Sequence, residues 1–257
     1  MTFPAFLLSC ALALGLPGPA QPRPVQVAVA AAGDLRGALE ELKGGFEAGH
    51  PGIQLQLSFG ASGSLTAQIQ QGAPFDVFLS ADVGFPQQLQ KAGLVRDQGL
   101  FPYAVGSLTL WVRKDLALDP ARDGWQVLLS PGIRKISTAN PQVAPYGRAA
   151  EAALRRVGLY EKVQPRLVFA DNIAQAAQFL QAGSAEAGLI STTQARHPAL
   201  AQTGLLWRVP ADTYPPLRQA GVILLRSPHQ DQARAFRGFI TGADGPAILA
   251  RHGFARP

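Results

Sequence analysis

From Val25 onward, short β-rich apolar runs alternate with segments whose apolar residues recur at helical spacing. VQVAVAAA (25–32) is an apolar run rich in β-branched residues, and IQLQLSF (53–59) alternates strictly, as a strand with one covered face does. FDVFLSAD (75–82) is a third strand that ends polar. Between them, Leu35, Ala38, Leu39, Leu42 and Phe46 fall on one helical face, and LTAQIQQG and FPQQLQKAGLV are shorter helices. The pattern resumes after residue 107: SLTLWVRKD, KISTA, RLVFADN and EAGLIST read as strands, and 146–163 and 173–183 as helices. TYPPLRQAGVILLRS is extended and crosses back, and two helices end the chain. Repeated β–α units predict an α/β fold built on mostly parallel sheet with helices on both faces.

Such folds bind ligands at the carboxyl ends of their strands, beside helix N-termini. Four strand-to-helix junctions fit that description: Ala32-Gly33-Asp34, Gly60-Ala61-Ser62-Gly63-Ser64, the stretch 140–147 (NPQVAPYG), and Ala170-Asp171-Asn172. The first backbone N–H groups of a helix have no partner within it and point toward a favourable place for negative charge. Ser62 reads either as a plain N-cap or as a hydroxyl contact to an anion, and Tyr146 either as a contact or as an aromatic packed beneath its loop. Asp34 sits where an N-cap belongs. A carboxylate beside a dianion repels it unless turned away or protonated, so contact there is expected mainly from backbone N–H.

Composition narrows the function classes. The chain has 257 residues, 47% of them apolar, and a net charge of +6 carried mostly by dispersed Arg with no basic stripe. That excludes disorder and gives no nucleic-acid signature. Residues 1–20 are uncharged with an apolar core, as in a signal peptide, although the usual positive start is absent. The one cysteine, Cys10, lies there, and lipid anchoring through it is not expected. The exported chain then has no disulfide, thiol nucleophile or cysteine metal site. No nucleophile elbow, HExxH or phosphate loop occurs, so no enzyme and no cofactor are expected.

VAVAAAGDLRGALEEL, SFGASGSLTAQIQQGAPFDVFLSAD, NPQVAPYGRAAEAAL and the closing ILARHGF together resemble the periplasmic molybdate-binding proteins of ABC importers, the ModA family. The resemblance runs in order from about Val25 to Phe254. It implies a type II periplasmic binding protein fold, two α/β lobes with a ligand cleft between them. The implied divisions are 1–20 signal peptide, 22–104 plus 220–257 lobe I, and 105–219 lobe II. The implied ligand is molybdate or tungstate, the implied partner an ABC permease, and the implied form an exported monomer. Another small anion on the same fold, such as sulfate or a phosphonate, is the alternative.

Carried over residue by residue, the family's oxyanion contacts fall on Gly33 and Asp34, on Ser62 with Gly63 beside it, on Tyr146, on Asn172 or Ile173, and near Ser191. Relatives often place a hydroxyl residue where this chain has Gly33, and some a tyrosine near Ser191. Closure of the lobes is expected to exclude water and strengthen each hydrogen bond. Selectivity against sulfate then rests on cavity size, and against phosphate on the lack of an acceptor for a protonated oxygen, a condition an inward Asp34 weakens.

Overall fold

The computed structural model describes residues 24–257. The expectations for residues 1–20, Cys10 included, lie outside the described residues. The chain opens with β1 (Val25–Ala32), α1 (Arg36–Gly49), β2 (Ile53–Gly60), α2 (Ser62–Gln70), β3 (Val77–Ser80), α3 (Gly84–Lys91) and β4 (Val95–Gly106). It continues through β5 (Leu108–Arg113), α4 (Pro120–Asp123), β6 (Ile136–Ala139), α5 (Pro145–Arg156), α6 (Tyr160–Val163) and β7 (Leu167–Ala170). Then come α7 (Ile173–Gln181), β8 (Ala187–Ser191), α8 (Thr192–Ala195), α9 (Pro198–Ala201) and β9 (Gly204–Arg208). It ends with β10 (Leu217–Leu224), α10 (Gln230–Thr241) and α11 (Asp244–Arg251).

The strands form two five-stranded sheets, ordered β2-β1-β3-β10-β4 and β7-β6-β8-β5-β9. Burial follows the sequence patterns. The alternating β2 lies at an edge with polar residues outward, whereas the apolar end of β1 and all of β3, apolar up to its final Ser80, are buried inside the sheet. On α1, Ala38, Leu39, Leu42 and Phe46 are buried on one stripe. One core packs around the first sheet through Leu39, Phe46, Leu55 and Phe236, the other around the second through Trp111, Ile136, Leu154 and Leu189.

The sheets are mixed rather than mostly parallel. β1 pairs in parallel with β2 and β3, and β6 with β7 and β8, as βα units require. β10 and β5 pair antiparallel with both of their neighbours. The reason is the crossing: only Ser107 separates β4 from β5, and the chain returns from β9 into β10. A strand entering a sheet from the other body runs against the βα strands already there. Among the described residues no helix is long and apolar enough to span a membrane.

Candidate functional site

The carboxyl ends of β1, β2 and β3 and the N-termini of α2, α5 and α7 meet around a small cavity. Its walls include Gly33, Asp34, Ser62, Tyr146 and Ile173, with Ala32, Ala61, Ala81 and Ala144 filling in. The cavity measures about 10 Å³, the room of about one water molecule. A groove of about 540 Å³ lies elsewhere between the two bodies, lined by Arg36, Arg196, Arg251 and His252 among others. Size favours the groove. Convergence of buried donors, which is what recognition of a small anion needs, favours the cavity.

Ser62 is fully buried and opens α2. The cap position belongs to Ala61, which offers no side chain to cap with, so Ser62 is not the plain N-cap. Its Oγ accepts from the Ala81 N–H at 3.1 Å, which leaves its O–H to donate. Tyr146 is 1% exposed, one residue after Pro145 at the start of α5. Gly147 makes that position possible: a Cβ there would lie 2.3 Å from the Ala139 carbonyl oxygen. Gly106 plays the same part behind the ring, where a Cβ would stand 2.2 Å from the Tyr146 hydroxyl.

At α7, Asn172 caps the helix. Its Oδ1 accepts from Ala174 N–H at 3.0 Å and Gln175 N–H at 3.1 Å. Its side chain is thereby committed, and of the first-turn donors Ile173 N–H remains. Gly33 fits against this helix start, because a Cβ would lie 3.1 Å from Asn172 Oδ1 and 3.2 Å from Ala174. The missing hydroxyl at 33 thus accompanies a close approach of α7. Gly63 is outside the cavity wall and donates its N–H to Val143 O at 2.9 Å. Ser191 is also outside it; its Oγ caps α8 through Gln194 N–H at 3.2 Å and shares a hydrogen bond with Thr193 at 2.8 Å.

Asp34 departs most from expectation. It makes no capping hydrogen bond and lies inside the 3-10 turn Gly33–Leu35. Its carboxyl is buried, with Oδ2 accepting from Gln219 Nε2 of β10 at 2.5 Å. Oδ1 has no hydrogen-bond partner. Burial pushes its pKa up to about 6, against the opposing pull of Gln219, the nearby Tyr146 hydroxyl and the N–H groups of Asp34 and Leu35. A carboxyl thus stands in the cavity wall, the circumstance that weakens the expected exclusion of phosphate.

Around it the two bodies are tied together. Thr193 Oγ1 donates to Asp34 O at 2.8 Å, and Gln194 Nε2 to Gly33 O at 2.9 Å. Arg148 pairs with Asp82 at 2.8 Å and stacks on Phe85. Gln219, Tyr103 and Thr193 are not among the site residues expected from the sequence, although Tyr103 and Gln219 lie in the stretches 103–107 and 216–221 where the family resemblance implies that the chain crosses between lobes. Gln219 alone left a signal there, as a polar residue inside the apolar run LRQAGVIL.

The chain matches the model of the bacterial extracellular solute-binding protein family over residues 27–255. It is 38% identical to the molybdate-binding protein ModA of Azotobacter vinelandii over 250 residues, 97% of this chain and 94% of the relative. It is 34% identical to ModA of Rhodobacter capsulatus over 254 residues, 98% of this chain and 96% of the relative. The solved structure of the Azotobacter vinelandii periplasmic molybdate-binding protein superposes with a TM-score of 0.83 at 34% identity, covering 90% of this chain and 99% of that one. The chain belongs to the bacterial extracellular solute-binding protein family, alongside these ModA proteins.

Proposed function

We propose that this protein captures a tetrahedral oxyanion, molybdate or tungstate, outside the cytoplasm and delivers it to an ABC permease. The observation that supports this best is the cavity itself. Two buried hydroxyls, Ser62 and Tyr146, and the starts of α2, α5 and α7 converge on it, and no Lys, Arg or His lines it. Uncharged, pre-aligned donors hold a dianion through charge-assisted hydrogen bonds and helix-end dipoles. The names of the ModA relatives point to the same ligand.

In this reading the two sheets are lobes, 22–104 plus 220–257 and 105–219, hinged where β4 passes into β5 and where β10 returns. The anion settles on one lobe. Closure then adds donors from the other and locks through Gly63–Val143 and Arg148–Asp82. Gly33, Ser62, Tyr146 and Ile173 make the contacts, the first and last through backbone N–H. The closed monomer docks on the permease, and residues 1–20 act in export without lipid anchoring at Cys10. The unpartnered Asp34 Oδ1 favours a second reading, an anion that carries its own proton, such as a phosphonate.

Calorimetric titration of residues 21–257 with molybdate, tungstate, sulfate and phosphate tests both. One-to-one binding of the first two with silence from the others supports the proposal. Binding of a smaller or protonated anion instead turns the assignment to the second reading. Silence throughout sinks the oxyanion site.

A further inference from the structure

The carboxyl of Asp34 poses a problem that the rest of the site does not solve. It belongs to the cavity wall, it is buried, and Oδ1 is without a partner. An ionised carboxyl in the wall beside an oxyanion sets acceptors against each other in a buried place, which is repulsive in charge and in hydrogen bonding.

The surroundings determine which oxygen is left over. Tyr103 donates from its hydroxyl, placed 2.9 Å from Gln219 Oε1 and 2.9 Å from Ser80 O. Burial raises the Tyr103 pKa well above its usual value, so the ring stays a neutral donor. With Oε1 turned to Tyr103, the Gln219 amide presents Nε2 to Asp34 Oδ2. The same Nε2 stands 3.4 Å from the Tyr146 hydroxyl oxygen. Oδ2 is thus held as an acceptor, and Oδ1 is the oxygen able to carry a hydrogen.

No cation offsets this carboxyl. Of the elements packed against its turn, α7 and α8 carry no titratable side chain. α1 contributes Arg36, which lies over the Phe59 ring and lines the outer groove with Glu40. Arg196, His197, Arg251 and His252 line that same groove. β4 offers Tyr103 and α5 offers Tyr146, both held neutral by burial, and on β10 Arg218 is exposed while Gln219 alone meets the carboxyl.

We propose that the cleft binds its anion together with one proton, held between Asp34 Oδ1 and the facing oxygen of the anion. The inference rests on the oxyanion reading above and adds its regulation. The proton turns two opposed acceptors into a donor and an acceptor, and the pair carries one negative charge fewer into the closed site. It comes from solvent as the lobes close. In this structure, with groups of both lobes packed around it, burial pushes the pKa of the carboxyl up to about 6. Below that value it is already protonated and affinity is flat. Above it, each bound dianion must draw a proton, and the dissociation constant rises about tenfold per pH unit. Such a protein holds its cargo more tightly in a mildly acidic exterior than in an alkaline one.

The test is calorimetric titration with molybdate at about pH 6, 7 and 8 in two buffers of different ionisation enthalpy, for the wild type and Asp34→Asn. The expected result is uptake of about one proton per anion at pH 8, falling to about half a proton at pH 6, with a weakening that approaches tenfold per unit above pH 7. Asp34→Asn carries N–H hydrogens at every pH, and its affinity should be flat with no proton uptake. Tight, pH-independent molybdate binding by the wild type with no proton drawn from the buffer overturns the shared proton while leaving the oxyanion site in place. Absence of molybdate binding by both proteins at every pH overturns the oxyanion reading and this inference with it.

Discussion

On the first sheet, the turn at Gly33 and the starts of α1 and α2 have no side-chain cap. On the second, Asp119, Asn172 and Ser191 cap α4, α7 and α8, and the uncapped start there that borders the cavity is that of α5. The two sheets otherwise share a plan: a parallel centre, β1 or β6, and a crossing strand, β10 or β5, set antiparallel against the next strand along, β3 or β8. Capping satisfies a helix start within its own chain segment. Leaving it uncapped is a cost to the free fold and an opportunity for a guest with acceptors. The starts around the cavity are mostly the uncapped ones, and at α7 the cap takes two N–H groups and leaves that of Ile173. The difference separates residues that hold each lobe together from residues that wait for a partner across the cleft.

That separation can be broken by substitution. Asp34→Asn should have the largest effect on the free protein. A carboxyl raised from 3.8 to about 6 binds its proton more tightly in the folded state, so stability falls as pH rises from about 4 to about 6 and stays lower above. Removing the charge should stabilise the ligand-free protein above pH 6 by about 3 kcal/mol, read as a higher Tm that converges with wild type near pH 4. Equal Tm values at pH 8 would show that the carboxyl is relieved by something other than a proton.

Gly63→Ala comes next. A Cβ there would lie 2.8 Å from Val143 O, across the cleft. Closure should lose about 2–3 kcal/mol, close to a hundredfold in affinity. Unchanged affinity would mean that the Gly63–Val143 contact is no part of the bound state.

Ser62→Ala removes a hydroxyl donor and should weaken oxyanion binding by about 1–3 kcal/mol. Full retention of affinity would take Ser62 out of the site. Asn172→Ala belongs to the other class. It should lower stability by about 1 kcal/mol through the lost cap and change affinity less than Ser62→Ala does. The reverse ranking would mean that the capped start serves the ligand after all. Smallest is Arg148→Gln. Its pair with Asp82 is about 40% exposed on each side, so the expected loss is under about 1 kcal/mol and fades with added salt.

Much of the fold was legible because local periodicity reflects burial. The alternation in β2 and the apolar run of β3 marked strands, and the stripe on α1 marked a helix against the sheet. The junction glycines and Ser62 were legible for a related reason, since helix starts announce themselves in short polar loops. Parallel or antiparallel pairing of β5 and β10 was not, because the direction of a crossing strand depends on where the chain comes from and not on its own residues.

The sequence by itself determined the α/β class and the helix starts that could meet an anion, which follow from spacing along the chain, and the family resemblance, which its motifs carry. Only the tertiary structure decided what those groups face. It turned Asp34 away from a cap and toward Gln219, 185 positions along the chain. It committed Asn172 and Ser191 to helix caps, and gave Gly63 its role as a clasp to Val143. Hydrogen-bond partners and burial are set by approach in space between residues distant in sequence, and a pattern with a period of two or 3.6 carries no record of that approach.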